Sequence, residues 1–287
     1  MSKIITIKNE FLTVAISTAG AEIQSIRSND GTEYIWQGDP KFWNKHAPIL
    51  FPICGGLVDD TYTLDGKAYT LEKHGFARNK EFIEVCSGES YAELMITDGE
   101  DTYGSYPFNF EFRASFKLDK KTLWVDFTVV NLSQKTMYYS CGSHEGYNLP
   151  SGIDGAKLIF ECPEILKDYE VEGGILGSRY SVIGDGSDTL VLDRKYFEID
   201  AIILKELSSR SLTLCDIGGE RKIRVDFPDF DRLLIWQACG APFVCIEPWT
   251  GLPDPYGSTD RAIKNKLSIS SLDAGTTRTH THGITIL

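Results

Sequence analysis

The run Phe108-Asn-Phe-Glu-Phe-Arg-Ala-Ser-Phe-Lys-Leu118 is followed by Asp119-Lys-Lys-Thr122 and then by Leu123-Trp-Val-Asp-Phe-Thr-Val-Val130. Apolar and polar residues alternate through both runs. Period two is the signature of a strand with one buried face, and the short polar interval reads as a turn. These residues therefore predict a long antiparallel hairpin. The same alternation recurs on both sides of it. Ile4 to Lys8, Phe11 to Ser17 and Ala21 to Arg27 read as early strands. Asp65-Gly66 marks a second hairpin between Tyr62–Leu64 and Ala68–Leu71. Lys157–Cys162, Ala201–Leu204, Ser211–Cys215, Lys222–Phe227, Leu233–Trp236 and Thr279–Ile286 read as later strands. Only Ser258–Lys266 reads as a short helix with a Ser or Thr cap. Many strands without interleaved helices predict an all-β fold. At 287 residues we expect one domain over 1–287, a large antiparallel β-sandwich with a concave face suited to an elongated polar ligand.

Charge and motifs narrow the function. The net charge of −12 opposes binding to a phosphate backbone, so nucleic acid is not expected as a partner. No apolar run approaches the roughly 20 residues of a membrane helix, and the start MSKIITIKNEF has no signal-peptide core, so a cytoplasmic location is expected. Seven scattered cysteines without a CxxC read as buried thiols in a reducing compartment. Phosphate-binding glycine loops and a GxSxG elbow are absent. Cys54-Gly-Gly56 and Glu172-Gly-Gly174 read as turns.

Five histidines are present. His280 and His282 share a strand face, a spacing used by metal sites, although a third ligand is not evident and the plainer expectation is a solvated terminal strand. His74 and Arg78 lie four residues apart in a loop that follows a hairpin, beside Gly75. His144 ends a strand in Tyr139-Ser-Cys-Gly-Ser-His-Glu-Gly-Tyr-Asn-Leu149, and strand geometry turns its neighbour Glu145 to the opposite face, toward a capping or salt-bridging role. Cys141, an odd number of positions away, is not expected to act as a nucleophile with it. Glu247 interrupts the apolar run Phe243-Val-Cys-Ile-Glu-Pro-Trp249. Desolvation beside Pro248 and Trp249 would raise its pKa and suit it to base catalysis, while an ordinary strand-end acid is the alternative. Trp249 offers a stacking surface for a sugar. Asp200, before an apolar run, reads equally as a cap or a ligand contact.

In order, Ala47-Pro-Ile-Leu-Phe-Pro52, His74-Gly-Phe-Ala-Arg78, Gly142-Ser-His144, Asp200-Ala-Ile-Ile203 and Cys245-Ile-Glu-Pro-Trp249 resemble the aldose 1-epimerase (galactose mutarotase-like) family, especially its LacX-like branch. The resemblance implies a large β-sandwich with the site in a cleft of a concave sheet. It implies His144 as general acid and Glu247 as general base. His74, Asp200 and Arg78 would contact the sugar. No metal and no organic cofactor are implied; the partner is a small-molecule aldose or sugar phosphate, and oligomeric state is left open. Two positions depart from the pattern. Gly56 stands where many relatives carry an arginine, so that contact falls to Lys45 or Arg78 or is missing. His144-Glu-Gly-Tyr147 replaces the family's His-Pro-Tyr-Phe. A carbohydrate-binding or sugar-sensing protein without catalysis, and a metal-dependent enzyme built on His280 and His282, remain the competing readings.

Overall fold

The computed structural model describes residues 2–218 and 221–287. Its largest element pair is the hairpin of Phe110–Asp119 and Thr122–Asn131. Phe110, Phe112, Ala114, Phe116 and Leu118 face inward from the first strand, and Leu123, Val125, Phe127 and Val129 from the second. Register sets Phe127 opposite Ala114 and Val129 opposite Phe112, so bulky and small side chains interlock across the pair. The alternation that predicted the hairpin is thus the alternation of core and solvent.

This hairpin lies in a nine-stranded antiparallel sheet. In spatial order the strands are Thr189–Val191, Lys157–Phe160, Ser211–Cys215, Lys222–Asp226, Thr277–Ile286, Thr122–Asn131, Phe110–Asp119, Tyr91–Thr97 and Ile83–Ser87. The C-terminal strand therefore occupies the middle of the sheet. His282 stands opposite Val125 and His280 opposite Phe127, and both imidazoles are buried. This corrects the expectation of a solvated terminal strand. The sequence pattern His-Thr-His looks polar, yet its histidines take core positions because both satisfy a ring nitrogen inside the sandwich. The Tyr139 hydroxyl and His280 Nε2 share a hydrogen bond of 2.8 Å, and His282 Nε2 lies 2.9 Å from Glu145 Oε1.

A second sheet faces the first. It comprises Ile202–Leu204, Arg232–Trp236, Phe243–Trp249, Gly142–Ser143 and Ile49–Leu50, and Glu145–Asn148 also pairs with Phe243–Trp249. Every residue of Phe243–Trp249 is buried. Val244 and Ile246 join the main core between the sheets, whereas Phe243 and Cys245 pack with Trp36, Trp43 and Trp236 on the other face. A strand covered on both faces is continuously apolar, so an acid within it has no solvent to retreat to. Strands Ile4–Lys8, Leu12–Ser17 and Ile23–Ser28 form a third, three-stranded sheet whose inward residues extend the main core.

Two further expectations are corrected. Over Ser258–Lys266 the only helical element is a 3-10 turn at Ile263–Asn265. Asp260 explains this: its carboxylate accepts from the Ala262 amide and from the Asn265 side chain, a local arrangement that competes with helix formation. Of the seven cysteines, Cys86 and Cys239 are exposed rather than buried. No helix among the described residues is long and apolar enough to cross a membrane.

Candidate active site

Every residue singled out for the site borders one cavity of about 300 Å³ on the outer face of the second sheet: His74, Arg78, His144, Asp200, Glu247 and Trp249. That volume is at the lower end of the roughly 300–1,000 Å³ common for small-molecule sites.

Glu247 enters from the middle of Phe243–Trp249, on the face shared with Phe243, Cys245 and Trp249. It is 1% exposed. His144 sits at the junction between Gly142–Ser143 and Glu145–Asn148, two short pieces that pair with the same strand. Its Nε2 lies 3.3 Å from Glu247 Oε1. The His144 ring stacks on Trp43, with centroids 5.1 Å apart, and meets Trp236 edge-on. Gly142 allows this junction to form. A Cβ there would stand 2.7 Å from Trp249 Cδ1 and 2.8 Å from the Pro248 carbonyl oxygen. Glu145 points into the sandwich, away from the cavity. It does not cap a loop: it pairs with His282 of the opposite sheet, linking the two layers.

Burial drives the two titrations in opposite directions. It pushes the Glu247 carboxyl well above the ordinary carboxylate range, with the nearby Lys73 charge opposing that shift. It pulls His144 down to about 3, with Lys73 and Arg78 contributing repulsion of its charged form. Burial thus favours the uncharged form of each group, the protonated acid and the neutral imidazole.

His74 is fixed by its backbone. It adopts a left-handed φ of 70°, and Gly75 follows at 67°. The His74 amide donates to the Gly55 carbonyl at 3.0 Å, and the Gly55 amide donates to His74 Nδ1 at 3.1 Å. Burial, followed by the charge of His144, holds the imidazole neutral by lowering its pKa well below the usual value. With Nδ1 accepting, Nε2 must carry the hydrogen. Arg78 is half-buried and ties its Nη2 to the Lys73 carbonyl at 2.8 Å. Asp200 is half-buried at the cavity wall and caps the next amide, Ala201, through Oδ1, so the capping role and a place beside the cavity coexist. Trp249 is nearly inaccessible, and its indole N–H is committed to the Ser143 carbonyl at 3.2 Å. Its ring meets His74 edge-on, so it packs against the histidine.

The cavity also takes residues that sequence reasoning missed. Trp43 and Trp236 form aromatic wall, and Lys73 stands at the rim. Val171 and Gly174 come from a hairpin of Leu166–Glu172 and Ile175–Ile183. The Gly173-Gly174 tip has positive φ at both residues, and a Gly-Gly pair between alternating runs was the available signal. The Gly56 amide donates to the Gly174 carbonyl at 3.3 Å. Lys45 and Arg78, the two cations named as substitutes, both border the cavity.

Among the described residues, His144, Cys245 and Glu247 are the one group of three whose metal-binding atoms all lie within 4.8 Å of one another. Cys245 weakens that set as a cation site, because burial holds its thiol well above the normal pKa and therefore protonated. His280 and His282 do not join it.

Residues 3–257 match the family model for aldose 1-epimerase. The chain belongs to the aldose 1-epimerase family. Within it, the chain is 36% identical over 263 residues to the chromosomal protein LacX of Lactococcus lactis subsp. lactis, spanning 86% of this chain and 88% of that one. The structure of a galactose mutarotase related enzyme from Lactobacillus acidophilus matches with a TM-score of 0.94 and 32% identity, covering 99% of this chain and 97% of the other. A galactose mutarotase-like protein from Lactobacillus casei matches with the same TM-score at 29% identity, over 99% and 100% of the two chains. This aldose 1-epimerase family fold is the large antiparallel β-sandwich expected from the hairpin pattern.

Proposed function

We propose that this chain is a mutarotase that interconverts the α and β anomers of an aldose, with His144 and Glu247 exchanging protons with the sugar. The observation that carries the reading is the 3.3 Å separation of His144 Nε2 and Glu247 Oε1 at the wall of a sugar-sized cavity. In a cyclic hemiacetal the anomeric hydroxyl and the ring oxygen are bonded to the same carbon. Two proton-transfer groups in mutual contact can therefore address both oxygens at once.

The proton balance closes within the pair. With the proton on His144, the Glu247 carboxylate takes the proton of the anomeric hydroxyl. His144 Nε2–H gives its proton to the ring oxygen. The bond between C1 and the ring oxygen breaks, and the anomeric oxygen becomes the aldehyde oxygen. The pair now carries its single proton on Glu247. Rotation about C1–C2 presents the other face of the carbonyl, and ring closure reverses both transfers. A proton shift across the 3.3 Å gap interconverts the two forms of the empty pair. Each group would contribute a rate factor on the order of 10²–10⁴. His74 Nε2–H would donate to a sugar oxygen, Asp200 would bind hydroxyls, and Arg78 would supply a further contact to the sugar. The aromatic surfaces available to the sugar are Trp43 and Trp236, since Trp249 is packed away.

Decay of optical rotation after dissolving single anomers of a panel of aldoses and aldose phosphates tests this. Acceleration over buffer supports it. Binding of a sugar without acceleration would favour the sugar-binding alternative.

A further inference from the structure

The sequence has no basic cluster, but folding makes one. Lys45, Lys73 and Arg78 all border the cavity of a chain whose net charge is −12. The floor, where His74 and Glu247 are buried, disfavours charge: burial lowers the pKa of His74 and His144 and raises that of Glu247. The rim is cationic. Lys73 is exposed, and Lys45 and Arg78 are half-buried. Among the described residues none of these three cations has a carboxylate within ion-pair distance. Glu72 acts on Arg78 only at longer range, and the acids bordering the cavity are Asp200 at its wall and Glu247 on its floor. The bond from Arg78 Nη2 to the Lys73 carbonyl keeps the guanidinium beside Lys73 rather than free in solvent.

Placing three like charges at one opening costs mutual repulsion, and holding Arg78 half-buried costs solvation. A neutral sugar relieves neither cost. An anion relieves both, and a cleft lined by one sign of charge concentrates ligands of the opposite sign.

Resting on the mutarotase reading for the position of the anomeric carbon, we infer that the physiological sugar carries an anionic group, a phosphate or carboxylate remote from C1. That group sits between the Lys73–Arg78 segment and Lys45. A guanidinium and an ammonium together suit a multidentate oxyanion.

Titration calorimetry tests the inference without relying on turnover. The probes are D-glucose, D-glucose 6-phosphate and D-glucuronate, with the three corresponding galacto sugars. At low salt, at least one anionic sugar is expected to bind roughly ten-fold or more tightly than its neutral parent, the equivalent of one charge-assisted hydrogen bond. The advantage should shrink as salt is raised. The phosphate and uronate arms tell which anion is preferred. Lys73→Ala and Arg78→Gln should each lower the ratio of anionic to neutral affinity, a ratio insensitive to any general weakening. If either variant does not fold, competition by inorganic phosphate against the bound sugar in the unmodified protein gives the same information. Equal or weaker binding of both anionic sugars in both series would overturn the inference. Anomer interconversion of neutral hexoses could still be intact in that case, and tight anion binding without any accelerated rotation decay would instead remove the mutarotase reading alone.

Discussion

The amide of Gly55 donates to His74 Nδ1 at 3.1 Å, so the neutral imidazole presents an N–H from Nε2. One backbone contact thereby decides the chemical character of a ring that borders the cavity. Replacing His74 by Asn keeps a residue tolerant of the left-handed φ of 70° but removes the positioned donor. We expect kcat/KM for the preferred sugar to fall roughly ten-fold, the scale of one hydrogen bond, with stability nearly unchanged. His74→Val should in addition lose about 1–3 kcal/mol of stability through backbone strain. Steady-state polarimetry and urea denaturation read the two effects separately; equal stability of the two variants would contradict the role given to the backbone.

The opposed shifts of Glu247 and His144 fix a pH dependence of stability. In the unfolded chain the two groups titrate near 4.3 and 6.5, roughly. Between those values the two shifts oppose each other: the raised Glu247 pKa lowers stability as pH rises, and the lowered His144 pKa raises it. Above about 6.5 the His144 contribution is complete and only the Glu247 shift acts, so stability falls as pH rises toward the raised Glu247 pKa. Below about 4.3 the unfolded chain holds two protons and the folded chain one, so stability also falls as pH drops toward the His144 value of about 3. Each slope is limited to about 1.4 kcal/mol per pH unit. Glu247→Gln mimics the protonated acid and should abolish the alkaline loss. Denaturation at pH 6 and pH 9 should show the variant gaining on the wild type at the higher pH; a constant difference would exclude a protonated Glu247.

Glu145 and His282 bind across the sandwich, both almost wholly buried. His282→Leu strands the Glu145 carboxyl in the core and should cost roughly 3–5 kcal/mol. Glu145→Gln retains an acceptor and should cost about 1 kcal/mol. Because Glu145 faces away from the cavity, its Gln variant should keep activity within about ten-fold, whereas loss of a direct proton-transfer group costs on the order of 10²–10⁴. Chemical denaturation and polarimetry on the same samples check both statements. A larger activity loss from Glu145→Gln than from Glu247→Gln would reverse the assignment of the two acids.

Gly75 sits where the chain turns under the site. Its φ is 67°, and a Cβ there would lie 2.4 Å from the Phe51 carbonyl oxygen. That same oxygen accepts the Phe76 and Ala77 amides. Gly75→Ala should therefore lose at least about 1–3 kcal/mol of stability and disturb His74 as well. Thermal denaturation reads the first effect; an unchanged midpoint would mean that the turn can relax.

The long hairpin was legible because its burial is strictly alternating, and the face of Glu145 followed from the same period. Glu247 was identifiable because it interrupts an apolar run, and His144 because it ends a strand in a motif resembling the family's, but their 3.3 Å approach depends on pairing across about a hundred residues of chain. Their catalytic roles are a proposal. The burial of His280 and His282 was not legible, because it depends on Tyr139 and Glu145, partners supplied from outside their strand. The rim of cations was hidden for a similar reason: Lys45 and Lys73–Arg78 are separate in sequence and meet only around the cavity. Trp249 looked like a sugar platform until the fold committed its N–H to Ser143.

The most direct test compares the decay of optical rotation by the wild type, His144→Asn and Glu247→Gln on the sugar each binds best, with folding verified by circular dichroism. The expected result is clear acceleration by the wild type and a loss on the order of 10²–10⁴ in each variant. No acceleration by the wild type on any aldose or aldose phosphate, or full activity in either folded variant, would contradict proton exchange between the sugar and the His144–Glu247 pair.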